Sequence, residues 1–170
     1  MGMRDSARPW VGHLVIVHSW RLASRNRDAG CTRDNSRTMS QQNLDIVRRA
    51  YEGVSARLEP PRELFGPDYE VDASDVAPDF GVLRGFEAAQ ESFRPYWETF
   101  DDFRVEIEEL VHADEKQVIT RVRDGGRMRG SDSEVWNRFF HVWTFADGKV
   151  VRLSIHTDRN RALEAAGISE

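Results

Sequence analysis

Apolar residues recur every third or fourth position in the first part of the chain and every second position in the later part, which predicts helices followed by strands. From Ser40 onward, Leu44, Val47, Tyr51, Val54 and Leu58 fall on one helical stripe, with Ser40 as a candidate N-cap and Pro60 and Pro61 ending the run. A short helical turn over 62–65 follows, and then Tyr69, Val71 and Ala73 alternate with Glu70 and Asp72 as in a strand with one buried face. Phe86, Ala89, Phe93, Trp97 and Phe100 return to the helical period, although Pro95 inside that run must remove a hydrogen bond or bend the helix. Phe103, Val105 and Ile107 open a region of period two that continues through Val118, Thr120 and Val122. Two more strands flank "ADGK", and "DRNRALEAAGI" reads as a short closing helix capped by Asp158 and stopped at Gly167. Helices first and a meander of antiparallel strands afterwards predict an α+β fold, with helices on one face of a curved sheet.

The stretch "HVWTFADGKVVRLSIH" (141–156) places a histidine at each end of a hairpin. A two-residue turn at Asp147 and Gly148 would set Trp143 opposite Arg152. A three-residue loop of Ala146, Asp147 and Gly148 would instead pair Trp143 with Val151, His141 with Leu153 and Phe139 with Ile155. The hydrophobic pattern favours the three-residue loop, because every member of that face except His141 is then apolar. His156 falls on the other face with Arg152 and Ser154, so the two imidazoles do not share a site. The outer face of the same strand carries Trp136, Phe140 and Val142, more apolar surface than a solvated face tolerates, and a homodimer packed face to face is the simplest cover.

The chain of 170 residues suits one domain, and its longest apolar runs fall well short of a membrane-spanning helix. Residues 1–38 carry seven Arg against three Asp, so the rest of the chain is more acidic than the overall net charge of −5, which argues against a nucleic-acid partner. That basic leader reads as a disordered segment or an upstream translation artefact, with the domain spanning 39–170. Cys31 is the one cysteine, so neither a disulfide framework nor a cysteine metal cluster is expected, and a cytoplasmic location fits. His156 and Asp158 lack a third ligand at a supportive spacing, and "GGRMRGSDSE" (125–134) reads as a flexible loop with no phosphate-binding context. Neither a metal nor a cofactor is expected.

The order of "ELFGPDYEVDAS", "TFDDFRVEIEELVHADEKQVITRV" and "HVWTFADGKVVRLSIHTDRNRALEAAGI" resembles the SnoaL-like branch of the nuclear-transport-factor-2-like superfamily over roughly residues 40–167. The resemblance implies a cone-shaped, strongly curved sheet wrapped around N-terminal helices and enclosing a pocket, with frequent dimerisation through the outer sheet face. It also implies ketosteroid-isomerase-like or polyketide-cyclase-like acid/base chemistry without a cofactor, although the fold hosts many functions. Tyr51 falls where the isomerases place an oxyanion-stabilising tyrosine, and their general base falls on Ala73. His141 matches a cyclase histidine, while the cyclase aspartate position falls on Ile155.

The expected site therefore comprises His141 and Tyr51 as catalytic candidates, with Tyr69, Phe93, Trp97, Trp143, Ile155 and Asp72 around a ligand. Apolar residues at both inherited acid positions make binding of a small hydrophobic molecule the leading expectation. An isomerase or cyclase acting on a hydrophobic carbonyl compound through His141 and Tyr51 is one alternative, and a homodimerising interaction module is the other.

Overall fold

A computed structural model describes residues 31–168, with side chains from residue 39 onward; the leader expected over 1–38 thus falls largely outside the described residues. The first helix, α1 (Cys31–Arg57), already runs through Ser40, so that residue lies inside the helix rather than at its start. Most of the predicted stripe is buried, with Leu44, Val47, Tyr51 and Val54 facing the core beside Ala50, whereas Leu58 falls just past the helix end and is half-buried. A 3-10 turn (Arg62–Leu64) leads into β1 (Phe65–Asp72), where Tyr69, Val71 and the following Ala73 are buried and Glu70 and Asp72 are not. Then come β2 (Val82–Arg84) and α2 (Phe86–Trp97), which keeps Pro95 within its last turn. Four longer strands follow: β3 (Arg104–Ala113), β4 (Gln117–Arg127), β5 (Glu134–Ala146) and β6 (Lys149–His156). The last described helix is α3 (Arg159–Ala165), whose N-cap Asp158 accepts from the backbone N–H groups of Asn160 and Arg161. Gly167 ends it at φ 71°, a left-handed conformation that glycine adopts without strain.

Among the described residues six strands form one sheet in the order β2-β1-β6-β5-β4-β3, antiparallel throughout except where β1 lies parallel to β6. The expected α+β cone is observed, with α1 and α2 packed on the inner face against β3, β4 and β1. Two readings of the strands need correction. Ile107 keeps the alternation with Val105 and lies opposite buried Val122, yet it is exposed because β3 is the edge strand, and bulges after Ile107 and Leu110 end the two-residue pattern beyond it. The segment taken as a flexible loop is strand at its ends and a connection in its middle: residues 125–127 close β4 and Glu134 opens β5, with Gly125 and Gly126 paired to Trp136 and Val135 at positive φ. A Cβ on Gly125 would sit 2.0 Å from the Val135 carbonyl oxygen, so only glycine lets β4 approach β5 there.

The β5–β6 hairpin also departs from expectation. Its turn has two residues, Asp147 (φ 51°) and Gly148 (φ 70°), with Phe145 opposite Val150. A bulge between Thr144 and Phe145 then absorbs Val151 and sets Trp143 opposite Leu153 and His141 opposite Ile155. The apolar face survives, but Val150 rather than Val151 belongs to it. His156 pairs with Phe140 and hydrogen-bonds Ser154 on the outer side, away from His141.

The outer face bears on the expected homodimer. Ile119 and Val142 are covered by Ala162 and Leu163 of α3, with Phe140 packed at the edge of that cluster. Trp136 is half-buried beneath the guanidinium groups of Arg104 and Arg123, 5.1 and 4.6 Å from its ring centre. Beside it, cross-strand pairs such as Arg123–Glu106 and Arg138–Glu108 line the surface. The chain itself covers much of the apolar surface that the sequence left open for a second copy.

Candidate functional site

The stripe that buries α1 carries Tyr51 into the sheet, and its hydroxyl meets three side chains. Trp143 Nε1–H donates to it at 2.9 Å, Thr120 Oγ1 lies at 2.9 Å and His141 Nδ1 at 3.0 Å. The phenol has one proton and two lone pairs. If Thr120 donates to Tyr51 alongside Trp143, the Tyr51 proton goes to His141 Nδ1 and the imidazole proton resides on Nε2. The reverse arrangement leaves both the threonine proton and Nε2 unpaired, so the first assignment satisfies more groups. In either case Nε2 of His141 is buried without a protein partner. Burial pulls the His141 pKa down to about 3, so the ring is neutral near pH 7. Burial pushes the Tyr51 pKa up, keeping the phenol protonated.

A second polar cluster lies on β4 and β5. Asp124, 7% exposed, accepts from Tyr96 Oη at 2.8 Å, and Asn137 Nδ2 donates to Tyr96 Oη at 2.9 Å. Asn137 stands directly across the strand pair from Asp124, where its amide favours the charged carboxyl. Desolvation raises the Asp124 pKa to about 6 despite these donors, and no ion pair among the described residues offsets it.

Both clusters line one cavity of about 400 Å3, walled mainly by aromatic and aliphatic side chains from α1, α2 and the sheet. Of the residues expected at a ligand, Tyr69, Phe93, Trp97, Trp143 and Ile155 are in its wall, as are Tyr51 and His141. Asp72 is a correction. The alternation that turns Val71 and Ala73 inward turns Asp72 outward, where it pairs with Arg152 Nη2 at 2.8 Å. Asp124, Asn137, Tyr96 and Gln90 were not anticipated. The signal was present for two of them: Asp124 continues the inward series Val118, Thr120, Val122, and Asn137 continues Phe139, His141, Trp143. Gln90 lies one residue from Ala89 on the buried side of α2, and its Oε1 is also without a partner.

These features define a curved-sheet cone holding an apolar cavity that is open at its mouth, and the comparisons agree. A family model for the SnoaL-like domain matches residues 47–153, and the chain belongs to that family. No curated protein matches it in sequence. Among solved structures, it is similar to the putative SnoaL-like polyketide cyclase of Jannaschia sp. CCS1 (19% identity, TM-score 0.58, covering 85% of this chain and 100% of that one). It is also similar to Bal32a from a soil-derived mobile gene cassette (21% identity, TM-score 0.58, covering 69% and 90%). A third is a protein of ketosteroid isomerase-like fold from Catenulispora acidiphila in complex with trimethylamine (13% identity, TM-score 0.55, covering 74% and 94%). These identities speak for the fold alone. No helix among the described residues is long and apolar enough to cross a membrane.

Proposed function

We propose that the chain binds a small, largely apolar molecule in the cone cavity and anchors a hydrogen-bond acceptor of that molecule on His141 Nε2–H. The observation that carries this reading is the unpartnered Nε2 of a buried residue lining an apolar cavity. A buried donor left without an acceptor costs about 1–3 kcal/mol, and a ligand oxygen would recover it. The test is calorimetric titration of the full chain with aryl ketones and the matching hydrocarbons. Saturable binding with a several-fold preference for the ketone, lost in His141→Phe, is expected; absence of any saturable binder would overturn the reading.

A second reading is acid/base catalysis on a bound carbonyl compound, as in an isomerase or cyclase, favoured by the hydrogen bond from Tyr51 to His141 and by the perturbed carboxyl of Asp124. His141 Nε2–H would hold the carbonyl oxygen as negative charge develops there, Tyr51 would fix the imidazole through Nδ1, and Asp124 would accept the α-proton. Tyr51 then acts through His141, because its own bonds are all within the protein. Exchange of the ketone's α-hydrogens with deuterated solvent, followed by mass spectrometry, tests it. Accelerated exchange that falls at least tenfold in both His141→Ala and Tyr51→Phe is expected, and no acceleration over buffer leaves the binding reading alone.

A further inference from the structure

Asp124 presents a problem that binding of a neutral apolar molecule does not solve. Its carboxylate lies in the wall of the cavity, almost wholly removed from water, and the Tyr96 hydroxyl that donates to it leaves most of its lone pairs free. None of the described residues lining the cavity is a lysine or arginine, so the negative charge has no fixed counter-charge there. Gln90, also at least nine-tenths buried, adds a carboxamide oxygen without a donor to the same wall. Around these acceptors stand Phe93, Tyr96, Trp97, Phe103 and Phe139, and the electron-rich faces of such rings attract cations. Unsatisfied acceptors, one full negative charge and an aromatic wall together exclude anionic ligands such as carboxylic acids and favour a cation bearing N–H donors.

We propose that Asp124 is the recognition site for a protonated amine, so that the cavity takes an apolar or aryl amine whose ammonium group seats on the carboxylate. The inference rests on the binding reading above and narrows its ligand class. The Tyr96 hydroxyl, itself held by Asn137, fixes the carboxylate in place, and the ammonium supplies the missing charge. The carbon skeleton fills the cavity towards His141, where an oxygen on the same molecule would find the Nε2–H.

The experiment uses three probes of one skeleton: 4-phenylbutylamine, 4-phenylbutanol and 4-phenylbutyrate. Each is titrated calorimetrically at pH 7.5 into the full chain and into Asp124→Asn, where the neutral alcohol also reports whether the variant keeps a cavity. The amine is expected to bind at least about tenfold more tightly than the alcohol, with the butyrate weakest, and the preference for amine over alcohol is expected to fall about tenfold in Asp124→Asn. Alcohol binding as tight as amine binding, or a preference unchanged in Asp124→Asn, would overturn the amine proposal while the cavity reading stands. If none of the three binds the wild-type chain, the cavity reading fails and this inference fails with it.

Discussion

Asp124 and His141 are both buried in one wall, yet acid affects them in opposite directions. The folded-state pKa of Asp124 is raised to about 6 from an unfolded value near 3.8. Ionising it therefore destabilises the fold above about pH 6, and the penalty is relieved as the pH falls from 6 towards 4. The groups facing it are Tyr96 from α2, Asn137 from β5 and, at longer range, Tyr51 from α1, all neutral over that window. Asp124→Asn should thus stabilise the chain near pH 7.5 by on the order of 2 kcal/mol, and by much less at pH 4.5, as read from urea midpoints. An equal effect at both pH values would mean that the carboxyl is not perturbed. His141 runs the other way: with its folded pKa lowered to about 3 against 6.5 unfolded, its stability contribution is present above pH 6.5 and lost as the pH falls. His141→Phe should therefore flatten the loss of stability between pH 6.5 and 4, as read from the slope of urea midpoints against pH rather than from their absolute values. At this scale the sequence revealed His141 because apolar residues flank it on both sides of its alternation, Phe139 before it and Trp143 and Phe145 after it. Asp124 follows the same alternation, but the glycine pair after it mimics a loop and hides it.

Among the elements, register decides what reaches the cavity. The apolar face of the hairpin was legible from period two, yet the turn was not, because two routes give nearly the same face. A three-residue loop does so directly, whereas the observed two-residue turn does so after a bulge at Val151. Asp-Gly accepts positive φ at both turn positions and matches the strand twist, which favours the shorter turn. The β4–β5 pair depends on glycine more strictly. At Gly125 an added Cβ would meet the backbone of Val135, which cannot move aside without breaking the pairing that sets Asp124 opposite Asn137. Gly125→Ala should cost at least about 2 kcal/mol by chemical denaturation. The open Gly148, whose Cβ would meet nothing within 4 Å, should lose only about 1 kcal/mol on the same change, from its positive φ. Equal losses at the two sites would show that backbone conformation, rather than close approach, governs both.

For the molecule as a whole, the question is what covers the sheet on each side. Inside the cone the helices leave a cavity; outside, α3 folds back over Ile119 and Val142. The sequence showed that the outer strand positions were too apolar for water, but the spacing of "RALEAAGI" did not say which surface that short helix would meet. A second copy and the chain's own C-terminal helix satisfy the same hydrophobic pattern, and the two-residue link from β6 holds α3 beside Ile119 and Val142, so part of that pattern is met within one chain. The alternatives separate on one residue. Leu163, 8% exposed, is the largest apolar side chain that α3 places in this cluster. Leu163→Ala should lower stability by about 2–3 kcal/mol, and Leu163→Asp should lift the helix from the sheet and uncover Ile119, Val142 and Phe140. Light scattering over a hundredfold range of protein concentration should then show association that grows with concentration in Leu163→Asp beyond that of the wild-type chain. If Leu163→Asp instead leaves both stability and mass unchanged, α3 does not serve as the cover, and the outer face again calls for a second copy of the chain.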